Sequence, residues 1–305
     1  MMLEVGISPR VLGRRFCFMN IKVIGAASDL GVSRDGTSLG PETIRTHLSD
    51  IDYELIRPEG PITKSRDKND LRKNEKEICA YSKVLYDTML ESKKEGNFTI
   101  LTGGDHTYAI SSALSSQALK KKIGVMWIDA HTDFNTFRTT ETGNIHGLPL
   151  ACIAGYECEE LRAFHEGDTV SPANICVVGA RSIDREEREN LKDAGVRVFS
   201  TDEVHERGIE TVMKEAFEIC LNGTEGVHVS FDLDVIDPQD APGVTVPECC
   251  GISRDEAFEI NGIVASHIND LVSYDVVELN PLNDKEHKTE DIAVKLLSQV
   301  IGAAK

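Results

Sequence analysis

The sequence has no long hydrophobic run, no low-complexity linker and no CxxC pair, and basic residues are few. Of its 305 residues, 40% are hydrophobic and 28% are charged, a composition typical of globular proteins and unlike that of disordered or membrane-spanning chains. There are 33 Lys and Arg residues against 51 Asp and Glu residues, which gives a net charge of −18. This excess argues against nucleic acids and membranes as partners, because both are themselves negatively charged. A cationic substrate or a divalent metal remains compatible with it.

The eight cysteines show no disulfide framework. In a chain of this length they indicate thiols of a reducing compartment, and we expect a cytoplasmic protein. The adjacent pair Cys249 and Cys250 fits ordinary thiols better than a metal site, because neighbouring thiols chelate a single ion poorly. Residues 1–18 are rich in arginine and faintly resemble an organelle transit peptide, but a short N-terminal extension is the favoured interpretation. A single domain is expected over residues 19–305.

Short apolar runs rich in β-forming residues alternate with helix-like stretches that carry a polar face. The predicted strands are 21–26, 98–102, 123–128, 175–178, 196–199, 227–231 and 272–277. The predicted helices are 41–50, 70–95, 106–119, 184–194, 208–221, 253–267 and 287–304. This alternation predicts right-handed βαβ units and a parallel sheet covered on both faces, which is the α/β class.

Polar residues follow the predicted strand at 123–128 at alternate positions. In open α/β sheets, ligands bind beyond the carboxyl ends of the strands. Asp129, His131 and Asp133 come directly after this strand, and alternate residues of an extended chain point to the same side. One acid at a strand end is commonly a helix cap, but three potential ligands in this pattern predict a metal site.

A second acidic pair, Asp232 and Asp234, follows the predicted strand at 227–231 in the same pattern. Burying two close carboxylates without compensation costs free energy, and a bound cation removes that cost. Asp237, which precedes a proline, fits a turn residue better than a ligand. His106 follows two glycines after an earlier strand and would begin the next helix, directed into the site.

Together the candidate metal ligands combine carboxylates with imidazoles. They are His106, Asp129, His131, Asp133, Asp232 and Asp234. Structural zinc prefers Cys and His, and calcium prefers an all-oxygen cage. The mixed set fits two Mn²⁺ ions per subunit, roughly 3.5–4 Å apart, which acidify a shared water to hydroxide.

The motifs GGDH, DAHTD, GNIHG and SFDLDVIDP, in this order and spacing, resemble those of the ureohydrolase family, which comprises arginases, agmatinases and their relatives. The resemblance covers roughly residues 20–304. It implies that the six candidate ligands bind manganese and that the fold is a three-layer α/β/α sandwich with a central eight-stranded parallel sheet. It also implies a homo-oligomer, either a trimer or a hexamer.

Within the family, the segment after DAHTD is most similar to that of arginases. The resemblance implies that side chains in this segment hold the α-carboxylate of L-arginine and that two acids further along contact its α-amino group. The implied carboxylate contacts are Asn135, Thr140, Thr142 and Asn144, and the implied amino contacts are Asp184 and, as a second contact, Glu187. If their spacing relative to the metal-ligand motifs is disregarded, the same polar residues would also fit a solvent-exposed loop.

Three catalytic side chains are also implied. Asp133 would accept the proton of the hydroxide and pass it to the leaving nitrogen, and His146 would relay protons between solvent and the site. Glu278, at the end of the last predicted strand, would pair with the guanidinium group through charge-assisted hydrogen bonds.

The chain departs from the arginase pattern in two places. Val246 stands where a threonine hydroxyl is usual near the guanidinium, and Thr245 comes one position too early to replace it. The usual Tyr-Arg-Glu of the subunit contact is replaced by Arg254, Asp255 and Glu256. We therefore expect differences in cavity polarity and in the salt bridge of the trimer.

The resemblance thus implies manganese-dependent hydrolysis of L-arginine to L-ornithine and urea by a metal-bridging hydroxide. One alternative is an agmatinase or another ureohydrolase that acts on a guanidino substrate. The other is a non-catalytic subunit with the ureohydrolase fold. The six intact ligands argue against the latter, because a protein without catalysis has no need to retain mutually repelling acids.

Overall fold

The computed structural model describes residues 19–305. The N-terminal extension predicted for residues 1–18 lies outside the described residues. The elements are β1 Ile21–Ala26, α1 Gly40–Arg45, β2 Asp52–Ile56, α2 Glu75–Lys94, β3 Phe98–Thr102, α3 Ala109–Lys120, β4 Gly124–Ile128, α4 Pro149–Ile153, β5 Ile175–Ala180, α5 Arg185–Ala194, β6 Arg197–Ser200, α6 Thr201–Arg207, α7 Ile209–Cys220, β7 Val227–Asp232, α8 Arg254–Ser266, β8 Leu271–Val277 and α9 Lys288–Ala304.

The strands form one eight-stranded sheet in the order β2-β1-β3-β8-β7-β4-β5-β6. Every neighbouring pair is parallel. All residues of β3, β4 and β5 are buried, as expected of parallel strands covered on both faces. The predicted α/β class with a parallel sheet is confirmed.

Helices cover both faces of the sheet and create two large apolar cores. On one face, α1 and α6–α9 pack against side chains such as Met126 and Ile128 of β4. On the other face, α2–α5 pack against the alternate residues Val125 and Trp127 of the same strand. This is the three-layer α/β/α arrangement that the resemblance implied.

Strand β2 was missed by the search for apolar runs. It lies at the edge of the sheet, next to β1 only, and its residues are half-exposed or exposed. An edge strand needs no continuous apolar run, because less of its surface faces the core. The helix predicted from residue 106 instead begins with a 3₁₀ turn, His106–Tyr108, before α3 starts at Ala109.

The cysteines agree with the expectation of thiols. The seven that the structure describes are all free, and four of them are buried. In the same part of the chain, no helix combines the length and apolar character needed to cross a membrane.

Candidate metal centre and substrate cavity

Four neighbouring strands, β3, β8, β7 and β4, place the predicted site residues at one edge of the sheet. Asp129 and Glu278 come directly after β4 and β8, Asp232 is the last residue of β7, and His106 follows β3 after a short turn. Parallel strands bring their carboxyl ends to the same edge. The main-chain N–H of His106 therefore donates to Glu278, although the two residues lie 172 positions apart in the sequence.

The inner group of the site gathers three carboxylates around one imidazole. His106 Nδ1 lies 3.0 Å from Asp129 Oδ2, 3.2 Å from Asp133 Oδ2 and 3.0 Å from Asp232 Oδ2. The imidazole is fully buried. The loops after β3 and β4 and the end of β7 thus converge on one point.

The outer group lies beside the inner group and is more exposed. His131 Nδ1 lies 3.0 Å from Asp234 Oδ2 and 3.4 Å from Asp129 Oδ1. Asp129 therefore directs one oxygen to each group, Oδ2 to the inner and Oδ1 to the outer. All six predicted metal ligands are brought together in these two groups.

The His106 ring is held in place by the surrounding core. It stacks on Trp127, with ring centroids 3.8 Å apart and an interplanar angle of 7°. Its Nε2 atom lies 2.8 Å from Ser230 Oγ, which leaves Nδ1 facing the carboxylates. Trp127 Nε1 also donates to Asp129 Oδ2 at 2.9 Å. One buried aromatic residue thus orients two members of the inner group.

The electrostatics of the two groups favour a bound cation. Burial, together with the negative charge of Asp129, raises the pKa of Asp133 to about 7, and burial raises the pKa of Asp234 to about 6. Among the described residues, the buried His106 Nδ1 has no well-angled hydrogen-bond partner, despite the three oxygens around it. A divalent cation would satisfy this nitrogen and neutralise the carboxylates. In each group, the donor atoms of three residues lie within 4.8 Å of one another, so the residues fit such an ion.

A polar cavity of about 240 Å³ opens above the two groups. Its volume is below the roughly 300–1,000 Å³ of sites for drug-sized ligands, and so it suits a small substrate. The cavity is lined by His131, Asp133, Asn135, Thr140, Thr142, Asn144, His146, Gly147, Ser182, Asp184, Glu187, Asp232, Asp234, Val246 and Glu248. All six residues predicted to contact the substrate are among them.

One wall of the cavity joins the loop after β4 to the start of α5. Asn135 Nδ2 donates to Asp184 Oδ2 at 3.0 Å. Glu187 accepts from the main-chain N–H groups of Phe134 and Asp184 and forms a capping box with Asp184 at the start of α5. Both oxygens of Glu187 are therefore used in main-chain hydrogen bonds, and these bonds hold the two segments of this wall together.

A second part of the cavity lining, at residues 140–144, is fixed by hydrogen bonds. Thr140 Oγ1 accepts from the main-chain N–H of Gly143, and Thr142 Oγ1 accepts from that of Asn144. Asn144 Oδ1 accepts from Ser33 Oγ at 2.6 Å. The ammonium group of Lys73 donates to the carbonyl of Thr142 and also reaches Asn144 Oδ1. This part of the lining is therefore held by side chains from two earlier loops.

Glu278 and His146 form a pair at the side of the metal groups. His146 Nδ1 lies 3.1 Å from Glu278 Oε1, and the same oxygen accepts the main-chain N–H of His106. Glu278 is buried behind His146 and does not line the cavity. Its second oxygen has no hydrogen-bond partner among the described residues.

Comparison with known proteins identifies the family. A family model described as "Arginase family" matches residues 19–302. An arginase of Bacillus subtilis is 36% identical over 293 residues, which cover 92% of this chain and 97% of that protein. The arginase structure from Bacillus caldovelox has a TM-score of 0.86 at 31% identity, covering 93% of this chain and 98% of that one. The chain belongs to the arginase family.

A more distant arginase structure has a similar backbone. The structure from Entamoeba histolytica, in complex with L-ornithine, has a TM-score of 0.85 at 28% identity and covers 93% of this chain and 99% of that one. Both the family resemblance and the implied arginase fold are therefore confirmed.

The structure shows the consequence of one departure from the arginase pattern. Val246 lines the cavity. The Thr245 side chain is fully buried and its hydroxyl accepts from Asn280 Nδ2 at 3.0 Å. The hydroxyl of Thr245 therefore does not substitute for the one that Val246 lacks, as expected from the sequence.

Lys73, Arg181 and Glu248 are among the residues around the arginase-family site that were not predicted from the sequence. Lys73 belongs to a loop far from any motif, and its contact with Asn144 gave no sequence signal. Arg181 lies three positions before Asp184 and Glu248 two positions after Val246, but no spacing rule marks either of them. Arg181 donates to five main-chain carbonyls, and Glu248 Oε1 lies 3.7 Å from His131 Nε2.

Proposed function

We propose that this member of the arginase family is a manganese-dependent enzyme that hydrolyses L-arginine to L-ornithine and urea. The observation that carries the proposal is the position of Asp129, whose two oxygens belong to different donor groups beneath a small polar cavity. A carboxylate shared in this way suits a pair of metal ions, and paired ions are widely used for hydrolysis.

The donor types support manganese as the metal. Asp133 and Asp232 would complete the inner site with His106, and Asp234 would complete the outer site with His131. Mixed carboxylate and imidazole donors favour Mn²⁺ over calcium, which takes oxygen ligands, and over structural zinc, which takes Cys and His. When bound, the pair of ions would supply Lewis acidity and a water molecule activated at neutral pH.

In this proposal, three side chains would handle protons and the guanidinium group. Asp133 lines the cavity and belongs to the inner group, so it can take a proton from the attacking water and deliver it to the leaving nitrogen. His146 is 18% exposed and lines the cavity, so it can exchange protons with solvent. Glu278 does not line the cavity, but its Oε2 is buried without a partner among the described residues and would accept from a guanidinium group that enters this far.

The cavity walls suit the α-amino acid end of the substrate. Polar groups of Asn135, Thr140, Thr142 and Asn144 are available for a carboxylate, and Asp184 is available for an ammonium group. The complex of the similar Entamoeba histolytica arginase with L-ornithine supports an α-amino acid as product.

A product assay tests the proposal. Metal-free protein reconstituted with Mn²⁺ should release urea and L-ornithine in equal amounts from L-arginine, and the metal-free protein should not. Agmatine lacks the carboxylate and leaves its binding groups unpaired, so its kcat/KM should be much lower. Equal use of agmatine would favour an agmatinase, and no turnover of any guanidino substrate would favour a non-catalytic subunit.

A further inference from the structure

Both imidazoles of the metal groups direct Nδ1 inward and have a different partner at Nε2. For His106 that partner is the Ser230 hydroxyl, 2.8 Å away. For His131 the partner is the Glu248 carboxylate, 3.7 Å away, which is an ion-pair distance and longer than a hydrogen bond. Glu248 comes from the loop between β7 and α8, whereas His131 follows β4. Their approach is therefore a product of the tertiary structure.

The backbone of Glu248 is anchored to the same structure that carries the outer ligands. Arg181 Nη2 donates to the Glu248 carbonyl at 2.9 Å and to the Asp234 carbonyl at 2.8 Å. Arg181 Nε donates to the carbonyl of Cys249 at 3.0 Å, and the Arg181 main-chain N–H donates to Ala130, beside His131. Arg181 thus ties the Glu248 loop to both segments of the outer group, through its guanidinium to the Asp234 segment and through its main-chain N–H to the His131 segment.

This anchoring distinguishes the Glu248 contact from an ordinary surface ion pair. Exposed pairs of flexible side chains contribute little, because ordering both partners costs entropy. Glu248 is 35% exposed and lines the cavity, as does Ser182. Its main chain is already ordered by Arg181, so only the side chain has to adopt the required position.

Histidines that bind metals usually donate their second ring N–H to a carboxylate, carbonyl or water, which fixes the tautomer and the ring orientation. We propose that Glu248 is a positioning residue for the outer metal site, which holds the Nε2–H tautomer of His131 so that Nδ1 is free to bind the ion. The inference rests on the proposed metal-dependent function. Ser230 serves the inner site as a neutral partner, and Glu248 serves the outer site as a charged one.

Metal binding tests the proposal independently of turnover. Metal-free wild type, Glu248→Gln and Glu248→Ala are titrated with Mn²⁺ by calorimetry, and the bound ions are followed by electron paramagnetic resonance. In Glu248→Ala, the Kd of one of the two ions should rise by about 10–100-fold and the other should stay unchanged. Glu248→Gln keeps an acceptor oxygen without its charge and should give an intermediate Kd.

The matched control is Glu141→Gln, which removes one negative charge from an exposed residue between the cavity-lining Thr140 and Thr142. It should leave both Kd values at the wild-type level. A double-mutant cycle separates positioning of His131 from a general charge effect. In a His131→Ala background, Glu248→Ala should not weaken metal binding further, whereas a general charge effect would persist. Thermal unfolding of each metal-free variant checks that the fold is kept.

The outcomes separate this inference from the proposed function. If wild type binds two ions and Glu248→Ala binds both with unchanged Kd values, the positioning role is wrong, even if turnover falls. If wild type itself fails to bind a second ion, the proposed function fails and the positioning role fails with it.

Discussion

The inner and outer metal groups use the same donor types but are built in different ways. The inner imidazole, His106, is fully buried, stacks on Trp127 and bonds to the Ser230 hydroxyl. The outer imidazole, His131, is 22% exposed and faces the Glu248 carboxylate of a loop. The inner position is therefore organised by the core before any ion binds, and the outer position depends on a surface loop.

This difference predicts an order of affinity. A preorganised site loses less conformational entropy on binding than one that must order its ligands. We expect the inner ion to bind more tightly and the outer ion to be lost first during chelation. Asp129 is the one described side chain with an oxygen in each group, so it should couple the two affinities.

The largest expected effect comes from Asp129→Ala, which removes the side chain that both groups share. Both ions should be lost together, and urea release should fall to the level of the metal-free protein. Metal analysis after gel filtration measures the loss. Retention of one tightly bound ion would show that the two groups are independent and that Asp129 does not couple them.

His146→Ala should leave both metal positions intact, because it removes no ligand from either group. The variant should keep its manganese, while kcat falls by about 10²–10⁴-fold, the range of general acid–base groups. Steady-state kinetics with and without added imidazole measures the effect, and imidazole should restore part of the rate. Loss of metal in this variant would instead make His146 a ligand.

Paired substitutions of the two imidazoles test the difference in burial directly. In the metal-free protein, His106→Ala should lower the free energy of unfolding by about 2–5 kcal/mol, because it leaves a cavity against Trp127. His131→Ala should have a much smaller effect, because the ring is partly exposed. Urea denaturation compares the two variants. Equal destabilisation would contradict the claim that the core organises only the inner position.

Under the proposed function, substrate selection should depend on the walls of the cavity above the two groups. Asp184→Ala should cost roughly 1.5–3 kcal/mol of transition-state binding, the range for hydrogen bonds to charged groups, with both arginine and agmatine. Asn135→Ala should impair arginine mainly and narrow its preference over agmatine. The kcat/KM values for both substrates measure the effects. An equal loss for both substrates in Asn135→Ala would refute its role in binding the carboxylate.

A further expected effect is the pH dependence of the metal-free protein. Burial raises the pKa of Asp133 to about 7, against about 3.9 in an unfolded chain. The folded state therefore binds more protons than the unfolded state between these values, and stability falls as the pH rises from about 4 to 7. Manganese should stabilise the protein more at pH 7.5 than at pH 5, because its ligands must lose their protons to bind.

The control for the pH prediction is Asp133→Asn, which removes the titrating group. The free energy of unfolding of this metal-free variant should vary less between pH 5 and pH 7.5 than that of wild type. Urea denaturation at both pH values measures the difference. An unchanged pH dependence would mean that Asp133 does not carry the raised pKa.

Much of the candidate site could be predicted from local patterns. Asp129, His131 and Asp133 alternate after an apolar strand, and Asp232 and Asp234 do so after another, so the direction of each side chain follows from the backbone alone. Lys73, Arg181 and Glu248 could not be found in this way, because each acts on a residue from a distant segment. Strand β2 was not predicted either, although its local sequence contains a strand pattern. Its alternating sequence carried a signal that a search for continuous apolar runs does not detect.

The sequence by itself determined the parallel α/β class, the candidate ligands and the family resemblance, because strand periodicity and motif spacing are local properties of the chain. Only the tertiary structure decided which candidate ligands lie together, that Asp129 has one oxygen in each group, and that Ser230 and Glu248 stand behind the two imidazoles. These contacts depend on the strand order β3-β8-β7-β4, which places four separate segments side by side. That order is set by the packing of whole helices on the sheet, and no short segment of the sequence encodes it.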